Sequence, residues 1–180
     1  MKVQALTLAA LFCATGAQFA TAADGTINFA GELVNQTCTV SVGGVVSPAV
    51  ATVTLPTVSN SLLDVAGKTE GRTGFDVTLS GCTGTATTAA AFFNAGSTVD
   101  PATGNLNNTT GTATLVQLQL VDAVTGNAIQ AGNTNQTTTT SRNTLASGGV
   151  RMDYAVQYFA TGAATPGTVL SSVTYNIDYN

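Results

Sequence analysis

The sequence predicts an all-β protein built as a sandwich of short strands. Runs of alternating apolar and polar residues recur along the chain, and this is the period of a half-buried strand. Thr accounts for 33 of the 180 residues and Gly for another 19. Thr favours strands, whereas Gly favours the turns between them. Only 8% of the residues are charged, compared with about a quarter in an ordinary globular domain.

Seven stretches show the alternation and one further stretch, 89–93, is short and apolar, with turn residues between them. They are residues 26–33, 38–42, 51–55, 75–79, 89–93, 115–121, 151–159 and 173–180. Short strands at this spacing are typical of a β-sandwich. Residues 59–66 are expected to form a turn of helix, and the polar run 133–143 is expected to be a loop. Since no Pro/Ser-rich linker divides the chain, we expect one domain.

The first 22 residues are typical of a secretory signal peptide. Lys2 supplies the positive start, and the apolar stretch 5–12 is too short to span a bilayer. Ala20-Thr21-Ala22 is a small-x-small cleavage site. Cleavage after Ala22, or one residue later, removes Lys2 and no acid. The formal net charge then falls from -4 to -5.

Export determines how the cysteines are interpreted. Cys13 leaves with the signal peptide, so that Cys38 and Cys82 remain as an even pair in an oxidising compartment. The sequence contains no His, and two cysteines alone make a poor metal site. We therefore predict a disulfide, which stabilises by about 4 kcal/mol in the chain-entropy model.

The composition argues against catalysis and against several kinds of partner. Without His, neither Ser-His-Asp nor Cys-His chemistry is available. The acidic residues are scattered, and the Gly-rich stretches lack the Lys of a phosphate-binding loop. We therefore expect no enzyme activity, no metal and no cofactor. The negative net charge disfavours nucleic acid and anionic membranes, and no segment after the signal is suited to membrane insertion.

Four segments of the chain carry a family resemblance. They are residues 25–35 followed by Cys38, residues 74–82, residues 158–167, and the C-terminal strand with its penultimate Tyr179. Together they closely resemble the major structural subunits of type 1-like pili of the chaperone–usher pathway. The segments follow the family's order and span nearly all of the mature chain, although residues 43–70 and 94–112 match less well.

The resemblance implies an incomplete immunoglobulin-like β-sandwich, the pilin fold, which lacks its last strand. It divides the chain into a signal peptide (1–22), an N-terminal donor-strand extension (23–35) and a pilin domain (36–180). The extension of one subunit would fill the apolar groove of the next with alternate residues on one face. The implied donor residues are Gly25, Ile27, Phe29, Gly31 and Leu33. The implied groove edge and chaperone contact are Val173, Tyr175, Ile177, Tyr179 and Asn180.

The same resemblance implies the partners and the location. The subunit would join other copies of itself in a head-to-tail filament, after transit through the periplasm with a chaperone and an outer-membrane usher. Tip or adaptor subunits would complete the fimbria at the cell surface. The alternatives are a minor adaptor subunit of the same pilus type, or a closed secreted β-sandwich that binds a ligand. The closed sandwich would fold alone and would tolerate loss of residues 23–34.

Overall fold

The computed structural model describes residues 35–146 and 148–180, together with Gly31 and Leu33. The predicted signal peptide and most of the predicted donor extension lie outside the described residues. Ten strands and two short helices follow one another in this part of the chain. They are β1 (Thr37–Val42), β2 (Val45–Val46), a 3-10 helix (Asn60–Leu63), β3 (Thr69–Thr83), β4 (Thr88–Phe93), β5 (Leu106–Asn107), β6 (Val116–Asp122), β7 (Ala128–Ile129), α1 (Gln136–Thr139), β8 (Asn143–Thr144), β9 (Val150–Ala160) and β10 (Tyr175–Tyr179).

The strands form two antiparallel sheets. The larger sheet has the order β2-β1-β3-β9-β6-β5, with β7 also paired to β6, and the smaller sheet has the order β10-β4-β8. The longest ladder joins β3 to β9, which places Val77 opposite Met152. A bulge between Glu70 and Thr73 interrupts this ladder. Because each strand has one apolar face, the two sheets bury those faces against each other.

Aromatic and aliphatic side chains from both sheets fill the core. Phe93 of β4 and Tyr154 of β9 meet edge to face, with ring centroids 5.3 Å apart. The Tyr154 hydroxyl accepts a hydrogen bond from the Ala91 N–H at 2.8 Å. Burial raises the pKa of Tyr154 above its usual value of 10.0, so the hydroxyl stays neutral and ties the two sheets together.

The disulfide prediction is confirmed. Cys38 of β1 is bonded to Cys82 near the end of β3, where Thr37 and Thr83 are paired across the same ladder. Among residues 35–146 and 148–180, no group of three or more His, Cys, Asp or Glu side chains is placed to hold a metal ion. No helix in the described part of the chain has the length and apolar character needed to cross a bilayer.

Most of the predicted strands are confirmed, as β1, β3, β4, β6, β9 and β10, although β3 extends six residues before and four residues after the predicted stretch 75–79. The expected helical turn is the 3-10 helix, whose N-cap Ser59 side chain accepts from the Ser61 N–H. The stretch 51–55 is wrong as a strand, because it is extended but belongs to neither sheet. The run 133–143 is not a plain loop, since it contains α1. The predicted strand 26–33 lies largely outside the described residues.

Candidate functional site: an unfilled groove

One side of the candidate groove is the C-terminal segment 169–179, which we call the C-terminal flank. From Thr174 onward its main chain pairs with β4 through even-numbered residues. Asn94 N–H donates to the Thr174 carbonyl at 2.8 Å, and Thr88 N–H donates to the Asn180 carbonyl at 2.9 Å. In a strand, successive residues direct their main-chain groups to opposite sides. The N–H and C=O groups of the odd-numbered residues of β10 therefore point away from β4, toward an edge where no described strand pairs.

The side chains of the same odd-numbered residues face the core. Each is only half-buried, and each packs against the main apolar cluster: Val169, Val173, Tyr175, Ile177 and Tyr179. Partial burial raises the pKa of Tyr179. The Ser171 hydroxyl of the C-terminal flank is buried and has no hydrogen-bond partner among the described residues. The flank thus presents unpaired main chain and incompletely covered apolar side chains along one line.

The other side of the groove is the extended segment 51–58, which we call the linker flank. Its side chains alternate between half-buried and exposed from Ala51 to Leu55. Val53 and Leu55 pack against the core cluster, although the segment lies in no ladder. Among the described residues, none forms a main-chain to main-chain hydrogen bond with this segment. Such groups are normally paired when a chain is packed against a core.

Tyr158 of β9 holds the linker flank in place. Its hydroxyl donates to the Pro56 carbonyl at 3.2 Å, while its ring lies against the bulge in β3. Gly71 sits in that bulge with φ +67, and a Cβ atom there would come within 2.9 Å of the ring. Glycine is required at this position for both its backbone conformation and its small size.

The two flanks approach each other at one end of the groove, where Thr57 and Val58 share a cavity of about 470 Å³ with Val169 and Leu170. Farther along the C-terminal flank, the Tyr175 hydroxyl lies 3.3 Å from the hydroxyl of Ser47, which precedes the linker flank in sequence. Leu63 and Ala164 form part of the cavity wall. No charged residue occurs in 51–58 or 169–177, so the groove is apolar with polar main-chain borders.

Polar contacts anchor the C-terminal flank on the side away from the groove. Arg142 donates from Nη1 to the Asp178 carboxylate at 2.7 Å and from Nη2 to the Asp178 carbonyl at 3.0 Å. The Asn180 carbonyl also accepts from the Thr87 N–H at 2.7 Å. The residues predicted as the groove edge therefore lie on a strand that is held firmly on one side and open on the other.

The predicted donor residues are only partly described. Leu33 is fully exposed, and a Cβ atom on Gly31 would meet nothing within 4 Å. Gly25, Ile27 and Phe29 lie outside the described residues. The linker flank and the cavity at its end were not predicted as parts of the site. The alternation in 51–55 indicates an extended segment with one buried face, but it does not reveal that the segment lacks a strand to pair with.

Comparison with solved structures identifies the class to which this fold belongs. The solved P pilus rod subunit PapA covers 79% of this chain and 99% of its own, with a TM-score of 0.59 and 18% identity. A chain from a chaperone–usher pilus, whose structure reveals the basis of rod uncoiling, covers 88% of this chain and 96% of its own, with a TM-score of 0.58 and 19% identity. These likenesses show an immunoglobulin-like pilin fold.

The family follows from the sequence relatives. The family model for the type-1 fimbrial protein, FimA, matches residues 55–180. The major fimbrial subunit SMF-1 of Stenotrophomonas maltophilia is 43% identical over 166 residues, which is 89% of this chain and 95% of the relative. The chain belongs to the type-1 fimbrial protein family of chaperone–usher pili. It is a structural subunit of a surface fimbria that associates with other copies, and the family is not enzymatic.

Proposed function

We propose that the groove accepts the N-terminal extension of the next subunit, so that copies polymerise head to tail by donor-strand exchange. The observation that carries this proposal is the pair of flanks whose main-chain groups lack partners among the described residues. A single extended segment between them would pair with both flanks and would cover the half-buried apolar side chains. Donor-strand exchange is consistent with the family.

The donor segment is residues 25–33, and it runs antiparallel to β10. Antiparallel pairing is the more stable ladder, and it continues the pattern of both sheets. A nine-residue strand spans about 27 Å, which fits within the C-terminal flank of about 33 Å. In this orientation Leu33 enters the cavity beside Val169, and Gly25 lies toward Tyr179. Burial of Ile27, Phe29 and Leu33 stabilises the joint by roughly 1.5–3 kcal/mol each.

The subunit reaches the filament by export through the periplasm. Residues 1–22 act as a cleaved signal peptide, which leaves residues 23–35 as the extension. A free subunit exposes an apolar groove and an unpaired strand edge, and both promote aggregation. A periplasmic chaperone therefore covers Val173 to Asn180 until an outer-membrane usher exchanges it for the next subunit, with tip or adaptor subunits at the end. N-terminal sequencing of purified filaments is expected to begin at Ala23.

The decisive experiment examines filaments sheared from cells that assemble them. Samples are run in SDS with and without boiling, for the wild type and for a deletion of residues 23–34. We expect the unboiled wild type to give a ladder of multimers that collapses on boiling. The deletion is expected to give no ladder. If wild type and deletion both give the same soluble, stable monomer, donor-strand exchange is excluded and a closed sandwich remains.

Two neighbouring substitutions test whether the donor segment acts by inserting one face into the groove, or whether any added charge in the extension prevents polymerisation. Phe29→Asp places a charge on the face that enters the groove, whereas Asn28→Asp places the same charge on the outward face. The proposal predicts that Phe29→Asp abolishes the ladder and that Asn28→Asp preserves it. Ile177→Asp and Asn176→Asp form the matching pair on the acceptor strand. If the inward-facing and outward-facing variants gave the same ladder, the proposal would be contradicted.

A further inference from the structure

An exposed apolar patch lies at the end of the subunit where the groove ends in its cavity. It comprises Leu62 in the 3-10 helix, Val65 just after it and Leu115 just before β6, with exposed fractions of 47%, 57% and 52%. We call these three residues the pole patch. Single exposed apolar residues are common on protein surfaces, whereas a group of them at one end of a molecule is a candidate contact surface.

The loop 161–165 joins the parts of the pole patch to the rim of the cavity. Thr161 N–H donates to the Leu115 carbonyl at 2.9 Å, and Ala164 N–H donates to the Leu63 carbonyl at 2.9 Å. Leu63 and Ala164 also line the cavity. The pole patch and the mouth of the cavity therefore belong to the same end of the subunit.

The backbone at Leu115 adds an independent observation. Leu115 has φ 57 and is the non-glycine residue with positive φ among the described residues. A bulky side chain in this left-handed conformation is strained, and such strain is found preferentially at functional positions. Leu115 also lies against Gly162, where an added Cβ would be 3.2 Å from Leu115 Cδ1. The strained backbone thus holds a half-exposed leucine at the pole.

The opposite end of the subunit carries the start of β1. Thr37 is paired with Thr83 at the end of β3, and their hydroxyls lie 2.6 Å apart. Gln36 Oε1 accepts from the Ala86 N–H at 3.2 Å. We call residues 35–37 and 83–87 the tail pole, which contains no charged side chain. The 15 residues of β3 separate it from the pole patch by about 46 Å.

We infer that the tail pole of the next copy in the filament covers the pole patch, an inference that rests on the proposed function. With Leu33 of that copy in the cavity, residues 34–36 are the whole connection to Thr37 of its β1. Such a connection spans at most about 14 Å. The tail pole must therefore settle at the rim of the cavity, where the pole patch is exposed.

The chemistry of the two surfaces suits this contact. The pole patch is apolar, and the neighbouring Lys68 and Asp64 neutralise each other in an ion pair of 2.7 Å. The tail pole supplies Thr and Gly without a charge that would need to be desolvated. Because the contact is heterologous, it repeats along the filament without closing. With this contact, neighbouring subunits are joined by their folded surfaces as well as by the three-residue connection 34–36.

The test compares filaments of Leu115→Asn with those of Val124→Asn. Asn adopts the left-handed conformation readily, so Leu115→Asn removes the apolar contact without adding strain. Val124 is 67% exposed and follows the other end of β6, about 25 Å away. Persistence length is measured from electron micrographs, and the temperature at which the SDS-resistant ladder collapses is measured on the same material. We expect Leu115→Asn to lose persistence length severalfold at an unchanged ladder temperature, and Val124→Asn to match the wild type.

The SDS-resistant ladder and the persistence length test the proposed function and this inference separately. Absence of a ladder in the wild type would contradict donor-strand exchange itself. A normal ladder with unchanged stiffness in Leu115→Asn would overturn the pole contact alone, as would equal softening by Val124→Asn. If Leu115→Asn yields no filaments, Val65→Ser provides the same measurement. Val65→Ser filaments as stiff as the wild type would then overturn the inference.

Discussion

At the scale of single residues, the Asp122 carboxylate is a polar group buried almost completely in the core. It accepts hydrogen bonds from the N–H groups of Val124 at 2.8 Å, Thr125 at 3.3 Å and Ser141 at 2.6 Å. Burial by itself would raise the pKa of Asp122, but these donors outweigh it and lower the pKa below 3.8. The ionised side chain thereby holds the turn after β6 to the segment before β8.

We predict that Asp122→Asn destabilises the fold. The amide cannot accept from all three donors, and an unpaired buried group costs about 1–3 kcal/mol. Because the folded pKa of Asp122 is depressed, its stabilisation is present above pH 3.8 and is lost as the pH falls through the lower folded value. Denaturant unfolding at neutral and acid pH measures both effects. The exposed Asp153→Asn serves as control, and equal losses from the two variants would argue against this role.

We predict that Gly71→Ala is more harmful than Gly43→Ala. Both glycines have positive φ, so both substitutions strain the backbone. Only at Gly71 does the new Cβ meet another residue, the Tyr158 ring that holds the linker flank. The clash adds about 1–3 kcal/mol to the loss. Thermal unfolding of the two variants gives the comparison, and equal midpoints would mean that the ring moves aside freely.

At the scale of elements, α1 stabilises the end of β4. Gln136 in α1 is buried, and its side chain accepts from the Phe93 N–H at 2.9 Å and donates to the Phe93 carbonyl at 3.0 Å. The amide thus imitates a strand partner for the last residue of β4. The run 133–143 consists largely of Thr, Asn and Ser, so its composition predicts a loop and conceals this contact.

We predict that Gln136→Leu frays β4 at Phe93. The substitution leaves the buried Phe93 N–H without its partner, at about 1–3 kcal/mol, whereas the Phe93 carbonyl still accepts from the Gly132 N–H at 2.8 Å. Hydrogen exchange at the Phe93 amide is expected to accelerate in Gln136→Leu and to remain unchanged in the neighbouring exposed variant Thr137→Leu. Unaltered protection at Phe93 in Gln136→Leu would show that the side-chain amide is dispensable.

Elements that depend on local pattern were predicted well. The strands β3 and β9 alternate cleanly in sequence, and each buries the face that the alternation marks. β6 alternates as well, but the structure buries both of its faces, including Gln117 and Asp122. The extended segment 51–55 alternates in the same way but forms no ladder. Side-chain period reports which face is buried, whereas main-chain pairing depends on the neighbouring segment. The linker flank lacks that neighbour among the described residues.

At the scale of the whole molecule, scarcity of charge is the governing property. The chain has 5 basic and 9 acidic residues, and the ion pairs of Lys68 with Asp64 and of Arg151 with Asp153 are largely exposed. Exposed pairs contribute little to stability. Filament cohesion should therefore come from apolar contacts and main-chain hydrogen bonds.

We predict that the filament is nearly insensitive to sodium chloride. Raising the salt from about 0.01 to 1 M shortens the screening length roughly tenfold, yet the temperature at which the SDS-resistant ladder collapses should hardly change. Sodium sulfate should raise that temperature, because it strengthens the burial of apolar surface. Filaments incubated in each salt and then transferred to SDS provide the measurement. A marked fall in sodium chloride would indicate that charge pairs hold the joints.

The sequence by itself determined the all-β class, the Cys38–Cys82 disulfide and most strand faces, because these follow from local alternation and from cysteine number. It also carried the family resemblance from which the pilus function was inferred. The tertiary structure alone decided which segments have unpaired main chain, where the cavity lies, and that Leu62, Val65 and Leu115 share one pole. Residues 51–58 and 169–179 are more than 100 positions apart in sequence. A site between such segments depends on how the strands are ordered in space, and a pattern read along the chain does not contain that order.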